Sequence, residues 1–298
     1  MTKFFLLICF LACTYKQSIG QTATLHPVKD NTIFNENAAN SNGAGADYFV
    51  GKTGQGAVQR GLLQFDVTSI PAGSVITSVT LAITCTKAPQ PASRTPNNVK
   101  LHKCLAAWGE GTSSANGGSG AAASAGDATW TCSFANGTGG CTQAWVVSGG
   151  DFSATVSSNV TVNDIGVYTF VNSPDLTADV QKWVDTPQSN FGWILIGDET
   201  SSFSARLFGS KESNLAATTL TITYSPASCT SATWTGAINS SWETPGNWTC
   251  GKVPDNNTDV IINSGTVIVN SNAVIKSLTI NPEVNFTVIS GFKLTVTQ

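Results

Sequence analysis

Residues 60–83 read Arg-Gly-Leu-Leu-Gln-Phe-Asp-Val-Thr-Ser-Ile-Pro-Ala-Gly-Ser-Val-Ile-Thr-Ser-Val-Thr-Leu-Ala-Ile, and this stretch decides the fold prediction. Apolar side chains precede Pro71 and Gly73, which are residue types typical of turns. From Val75 to Ile83 apolar and polar residues alternate, as in a strand with one buried face. The stretch therefore predicts two β strands, joined by a Pro-Gly turn and paired as a half-buried antiparallel hairpin.

Short alternating runs of the same kind recur over residues 22–224, separated by clusters of Gly, Pro, Asn and Ser. Closely spaced short strands with turn residues between them are typical of an all-β sandwich. We therefore expect an all-β chain, with a jelly-roll-like antiparallel β-sandwich over residues 21–225.

Two segments of this region differ from the strand pattern. Residues 175–185 have helical periodicity, with a candidate N-cap at Asp175 or Thr177. Residues 109–127 are rich in Gly, Ser and Ala, a composition that can bury little apolar surface. We expect this segment to be a mobile surface loop, and a functional lid is the alternative.

A second, smaller unit is expected over residues 226–298. Its first part carries Trp residues between 234 and 248, and closely spaced strand-like runs follow from residue 259 onward. This spacing predicts a small β-solenoid-like or meander unit. The Trp-rich part and the Val-Pro-x-x-x-x-Asp-Val-Ile pattern at residues 253–261 resemble modules on secreted proteins of Bacteroidetes-like bacteria.

Composition and the first residues indicate export. The chain has 11 % charged residues and a net charge of −3, so it lacks the basic excess of a nucleic-acid-binding protein. Residues 1–20 carry Lys3 and an apolar run, which predicts a signal peptide, with lipidation of Cys13 as the alternative. No later apolar run is long enough to span a membrane. We expect a secreted or extracellular protein, with attachment to the cell surface as an alternative.

The cysteines that follow the predicted signal peptide are even in number, which in an exported chain predicts disulfide bonds. Cys132 and Cys141 bracket a Gly-rich loop, and a bond between them would restrict the unfolded chain there. Elimination then gives the remaining pairs, Cys229 with Cys250 and Cys85 with Cys104.

Residues 60–73 and a series of later motifs resemble the DNRLRE-type domain, also described as carbohydrate-binding module family 96. Sequences of that family carry an Arg, a Leu-Leu-x-Phe-Asp strand and an Ile-Pro-x-Gly turn in this order. The later motifs follow the family's order: Ala107-Trp-Gly-Glu-Gly, Gly126-Asp-Ala-Thr-Trp, Trp145, Gly149-Gly-Asp-Phe, Val180-Gln-Lys-Trp-Val, Asn190-Phe-Gly-Trp-Ile-Leu and Leu220-Thr-Ile-Thr-Tyr. One departure is Leu215-Ala-Ala, where family sequences usually have a Pro before the last strand.

The resemblance implies a non-catalytic protein that binds an anionic extracellular polysaccharide such as alginate. Cationic side chains would then meet the carboxylates of uronate sugars through charge-assisted hydrogen bonds. The candidates flank two predicted strands and are Lys52, Arg60, Arg206 and Lys211. The alternatives are a cell-surface adhesion or structural module without a specific glycan ligand, and an accessory part of a polysaccharide lyase.

The aromatic residues have a simpler interpretation, because buried aromatics dominate the cores of β-sandwiches. We expect Trp130, Trp145, Trp183 and Trp193 to lie in the core rather than to contact sugar. Trp108 borders the Gly-rich segment and is the aromatic whose place in the core the sequence supports least.

No motif indicates an enzyme, and we expect no catalytic residue. Nucleophile-elbow and phosphate-loop patterns are absent from the sequence, and no spacing pairs its carboxylates for glycoside hydrolysis. Zinc is disfavoured because no Cys-x-x-Cys occurs and His26 and His102 are isolated. No cofactor is certain. Structural calcium is an alternative, with loop oxygens offered by Asp30, Asn31, Asp47 and Asp151.

Overall fold

The computed structural model describes residues 20–115, 117–213 and 218–298. The predicted signal peptide lies outside the described residues apart from Gly20, so it stays a prediction. Among the described residues, no helix is long and apolar enough to cross a membrane. The described chain is mostly β structure, with antiparallel strands first and parallel strands after them, which confirms the all-β prediction.

The antiparallel region contains fifteen strands in the residues that the structure describes, together with one α-helix and one 3-10 helix. They are β1 (Gln21–Leu25), β2 (Pro27–Phe34), β3 (Asn40–Ser41), β4 (Asp47–Lys52), β5 (Val58–Phe65), β6 (Val75–Lys87), β7 (Asn97–Cys104), β8 (Ala121–Ala122), β9 (Cys132–Ala135), β10 (Cys141–Ala144), β11 (Phe152–Val162), β12 (Gly166–Phe170), α1 (Pro174–Asp185), the 3-10 helix (Pro187–Ser189), β13 (Trp193–Ile196), β14 (Arg206–Gly209) and β15 (Thr219–Ser225).

Eleven of these strands form one curled antiparallel sheet, in the order β1-β15-β6-β14-β4-β5-β13-β7-β11, with β12 joined to β6 and β2 joined to β5. Strand β4 pairs with both β14 and β5, so it belongs to both halves of the sheet. The halves share one core, which takes side chains such as Val79 from β6 and Leu101 from β7. This arrangement is the predicted jelly-roll-like sandwich.

The predicted hairpin over residues 60–83 is wrong in its pairing. Both strands exist, but β5 pairs with β2, β4 and β13, whereas β6 pairs with β12, β14 and β15. The connection between them buries Val67 and Ile70 in the core. It is longer than the two-residue turns that close most hairpins, and it carries the chain from one half of the sheet to the other.

The predicted helix is confirmed as α1, and its apolar face lies in the sandwich core. Its N-cap is Ser173, whose hydroxyl accepts the Leu176 N–H at 3.1 Å, rather than Asp175 or Thr177. The helix contacts β6 and β11. It therefore packs against strands of both halves of the sheet.

The tryptophans are mostly core residues, as predicted. Trp145, Trp183 and Trp193 are buried, and Trp130 is half-buried. Trp108, which the sequence places least firmly in the core, is also buried: it is 1 % exposed and its indole Nε1 donates to the Phe191 carbonyl at 2.8 Å.

The cysteine predictions hold for two of the three pairs. Disulfide bonds join Cys132 to Cys141 and Cys229 to Cys250. The predicted Cys85–Cys104 bond is wrong, because Cys85 lies on β6 and Cys104 on β7, in opposite halves of the sheet and in different apolar clusters. Burial raises the pKa of the Cys85 thiol to about 11 and also raises the pKa of Cys104.

The second unit is a small parallel β-solenoid, which resolves the predicted choice between a solenoid and a meander. Strands β17, β18 and β19 form one turn, and β20, β21 and β22 lie beside them in parallel register. Its core includes Val260, Val267 and Ile275. The elements are β16 (Ser231–Thr233), a 3-10 helix (Pro245–Asn247), β17 (Asp259–Ile262), β18 (Thr266–Val269), β19 (Ala273–Ile275), β20 (Ser277–Ile280), β21 (Asn285–Val288) and β22 (Leu294–Val296).

Asn247 organises the Trp-rich start of the solenoid. Its side chain is fully buried, and Oδ1 accepts the N–H groups of Ile238 and Asn239. Its Nδ2 donates to Asn239 Oδ1 and to the Ser241 carbonyl. The neighbouring Trp248 packs edge to face with two other Trp rings, at centroid distances of 4.9 and 4.7 Å. Asn247 and Trp248 are therefore structural residues of this unit.

Candidate functional site

Arg60, one of the four cationic residues predicted to bind ligand, is held by groups of the protein itself. Its Nε and Nη2 donate to the Glu199 carboxylate at 2.7 and 3.0 Å, and Nη1 donates to the Gly149 carbonyl at 2.7 Å. The guanidinium also lies 4.7 Å from the centroid of the Trp130 ring. Arg60 thus joins two loops of the sandwich, and a uronate carboxylate would have to compete with Glu199 for it.

Arg206 has no exposed surface, so its predicted role in ligand contact is wrong. Its guanidinium instead donates to five backbone carbonyls, those of Thr95, Asn163, Phe203, Ser204 and Ala205. Three of these carbonyls are consecutive and lie immediately before β14. Arg206 therefore fixes the path of the chain around Phe203.

Lys52 is half-buried and Lys211 is exposed to solvent. Lys52 Nζ lies 3.4 Å from the Thr200 carbonyl. Lys211 Nζ lies 3.4 Å from the Glu110 carboxylate and 2.5 Å from that of Glu212. Two carboxylates already balance the charge of Lys211, which leaves Lys52 as the more available of the predicted cations.

A groove crosses the outer face of the sandwich over strands β4, β14 and β6, and we call it the outer groove. Its floor is a row across the strands in which Phe49 pairs with Leu207 and Leu207 pairs with Lys87. The neighbouring residues Tyr48 and Phe208 point into the core, so the row faces the opposite side of the sheet. The groove encloses about 360 Å³, within the range of sites for small ligands.

Phe203 forms one wall of the outer groove and has an unusual backbone. Its φ is 62°, the left-handed region that bulky residues rarely adopt, and its side chain is 42 % exposed. The ring lies over Gly54, where a Cβ would come within 2.3 Å of it. Strained backbone at an exposed aromatic is more often found at functional sites than elsewhere. The Arg206 contacts described above stabilise this conformation.

The Gly-rich segment also lines the groove, and we call its described residues, 109–115 and 117–127, the wall loop. Gly117 and Gly118 line the groove, and Gln59 of β5 donates through Nε2 to the Gly118 carbonyl. Gln59 Oε1 is buried without a hydrogen-bond partner. A wall of this kind brings backbone groups close to a bound ligand, because glycine has no side chain to intervene.

The wall loop is hydrogen bonded to neighbouring segments at several points, and its mobility stays a prediction. Buried Asn31 donates to the Glu110 carbonyl at 2.9 Å. Asn42 Oδ1 accepts the Ala115 N–H at 2.7 Å, and Asn40 Nδ2 donates to the Ser119 carbonyl at 2.8 Å. Short strands β3 and β8 also pair. These asparagines therefore satisfy backbone carbonyls at Glu110 and Ser119 and the backbone N–H of Ala115.

The polar groups of the outer groove are one cation and several neutral groups. Lys87 is exposed at the end of β6, while Thr53, Gln55 and Gln59 supply a hydroxyl and two amides. Among the described residues that line the groove, none is a carboxylate. The groove therefore carries a local positive charge on a protein whose net charge is −3.

A second polar feature lies at the ends of two elements that form the outer groove. We call Asp30, Glu110, Lys211 and Glu212 the Asp30 cluster. Asp30 is fully buried, its Oδ2 accepts the Lys211 N–H at 2.7 Å, and its Oδ1 has no hydrogen-bond partner. The Asp30 N–H donates to the Glu110 carboxylate at 2.9 Å. Burial raises the pKa of Asp30 to about 7 and also raises the pKa of Glu110.

Two of the residues proposed for calcium, Asp151 and Asp47, accept hydrogen bonds from groups of the protein. Asp151 accepts the N–H groups of Val146 and Val147, and Asp47 Oδ1 accepts the Thr86 hydroxyl. Within the described part of the chain, no cluster of three or more His, Cys, Asp or Glu side chains is arranged to hold a metal ion.

Sequence reasoning missed the residues that define the outer groove. Lys87 and Phe203 belong to loops or strand ends with no motif, and only the strand register brings them to one face. The alternation in β4 and β6 could have indicated which side chains face outward. The left-handed backbone of Phe203 leaves no signal in the sequence.

The comparisons with known proteins cover only the solenoid. Residues 233–298 match a family described as a domain of unknown function, DUF8693. A search of curated proteins finds no match for the chain. Because the family match leaves the sandwich outside its range, it assigns no family to the chain as a whole.

Proposed function

We propose that this protein is a secreted, non-catalytic carbohydrate-binding protein that binds an anionic extracellular polysaccharide in the outer groove. The observation that carries the proposal is the combination of an exposed, conformationally fixed Phe203 with Lys87 across one open groove. Both disulfide bonds are compatible with an oxidising, extracellular location.

Each part of the groove matches a feature of a uronate-containing chain. The face of an aromatic ring offers a large apolar surface against which the C–H face of a sugar ring can pack. The Lys87 ammonium can donate to a sugar carboxylate, and Gln55 and Thr53 can exchange hydrogen bonds with hydroxyls. The DNRLRE-type motifs of the sequence support the same class of ligand.

Affinity electrophoresis in gels that contain alginate or polygalacturonate, with a neutral galactomannan gel as the reference, tests the proposal. We expect retardation in the acidic gels that weakens as salt is added, because salt screens exposed charges. Phe203→Ala and Lys87→Ala should each weaken binding by about tenfold at low salt, equivalent to ~1.4 kcal/mol.

Matched controls come from the solenoid. Phe292 is 43 % exposed and Lys293 is exposed, so Phe292→Ala and Lys293→Ala remove similar groups away from the groove. Both controls should bind as the unmodified protein does. Absence of retardation in every gel would support the adhesion or structural alternative. Retardation that Phe203→Ala and Lys87→Ala leave unchanged would place the ligand elsewhere, and release of unsaturated, ultraviolet-absorbing products would indicate a lyase.

A further inference from the structure

The Asp30 cluster lies at the ends of two elements of the outer groove, so its protonation state can affect the shape of the groove. Glu110 is the second residue of the wall loop, and Lys211 follows β14, whose Leu207 forms part of the groove floor. One buried carboxyl group therefore contacts the ends of two elements that shape the groove.

The charge state of Asp30 matters because its surroundings do not compensate a negative charge. A single N–H donates to its Oδ2, and Oδ1 has no partner in a site without exposed surface. A buried carboxylate with so few donors is costly, whereas the neutral acid is tolerated. Charged or titratable groups approach Asp30 from each neighbouring segment. They are Glu110 of the wall loop, Lys211 and Glu212 after β14, and Tyr48 of β4. Lys29 precedes Asp30 in the chain, and His26 lines a pocket together with Lys211 and Glu212.

Ionisation of Asp30 would act directly on the Glu110 contact. Glu110 accepts the Asp30 N–H through Oε1, the same oxygen that lies 3.4 Å from Lys211 Nζ. The Lys211 ammonium already forms ion pairs with two carboxylates, those of Glu110 and Glu212. A new negative charge on Asp30 would repel both and favour entry of water.

We propose that ionisation of Asp30 loosens the start of the wall loop and the residues after β14, so that ligand binding in the outer groove weakens as the pH rises across neutrality. The predicted effect on ligand binding rests on the proposed function. The loosening of the two segments does not, because it occurs in the protein without ligand. The pKa of Asp30, raised by burial to about 7, sets the range in which the change occurs.

Hydrogen exchange of the free protein at pH 6 and pH 8, corrected for the intrinsic pH dependence of exchange, tests the loosening without any glycan. Amides of residues 109–115 and 210–213 should exchange about tenfold faster at pH 8. Asp30→Asn, which keeps an oxygen acceptor for the Lys211 N–H, should show no such change. Glu110→Gln should move the midpoint to lower pH, because one repelling charge is removed.

Asp66→Asn is the control, since Asp66 is an exposed carboxylate away from the cluster, and it should retain the wild-type pH dependence. Equal pH dependence in wild type and Asp30→Asn, or its absence in wild type, would overturn the inference. If Asp30→Asn does not fold, an unshifted midpoint in Glu110→Gln overturns it instead. Glycan affinity measured at the same two pH values distinguishes failure of the proposed function from failure of this inference. A protein that binds no glycan at either pH, but shows the pH-dependent exchange, rejects the proposed function alone.

Discussion

Replacing Phe203 by Gly and, separately, by Ala isolates the backbone strain at the groove wall. Both variants lose the ring, which is 42 % exposed. The cost of the lost burial is therefore the same in both and cancels when their unfolding free energies are compared. At φ 62° an alanine retains the left-handed penalty of about 1–2 kcal/mol, and a glycine does not. Glycine costs about 0.5–1 kcal/mol more chain entropy than alanine. We expect Phe203→Gly to be the more stable variant by about 0.5–1 kcal/mol.

Native-state hydrogen exchange of amides in β6 and β13 reports the unfolding free energy of the sandwich separately from that of the solenoid. Both variants should lose glycan retardation to the same extent, because neither has an aromatic ring at the wall. A control pair at Phe292, where φ is not in the left-handed region, should give the usual order with alanine more stable. If Phe203→Ala is as stable as Phe203→Gly or more stable, the hydrogen bonds from Arg206 to the backbone carbonyls do not hold residue 203 in a strained conformation, and the reasoning is wrong.

Three further predictions concern stability. The pKa of Asp30 is raised from 3.8 to about 7, so the fold binds a proton that the unfolded chain has lost, and wild-type stability falls as pH rises from about 4 to 7. In urea titrations, the unfolding free energy of Asp30→Asn should match that of wild type near pH 4 and exceed it at pH 8 by at most about 4 kcal/mol. The same dependence of unfolding free energy on pH in both proteins would contradict this. Replacing Cys132 and Cys141 together by Ser should cost about 2–3 kcal/mol, seen as faster proteolysis within residues 132–144, and unchanged cleavage would refute it. Asn247→Ala should destabilise only the solenoid, by about 2–4 kcal/mol in hydrogen exchange of β17, whereas exposed Asn256→Ala should have no effect.

Alternation and turn residues were sufficient to predict the class of fold and the helix at residues 175–185, because these depend on local periodicity. The pairing of β5 and β6 was predicted wrongly for a physical reason. Adjacent strands with a turn between them favour a hairpin, but the buried Val67 and Ile70 add apolar residues to the connection and send the chain to the other half of the sheet. Strand pairing of this kind depends on contacts distant in sequence.

The candidate site was less accessible to sequence reasoning than the fold. Arg60 and Arg206 were selected for their charge, and the structure shows why charge alone is a poor guide: both guanidinium groups are occupied by Glu199 or by backbone carbonyls. Lys87 carries the same charge in an open position, which no motif indicates. Asparagines in residues 31–42 hold the wall loop through hydrogen bonds, a role that no motif in the sequence indicates.

Strands β1 and β15 are neighbours in the sheet, although nearly the whole sandwich separates them in the chain. During synthesis, residues 21–25 therefore have no partner until residues 219–225 have been made, and the sheet cannot be completed progressively from its N-terminal end. Folding dominated by such late, non-local pairing is slow. A chain that is to be threaded through an export channel before it folds would gain time from this delay.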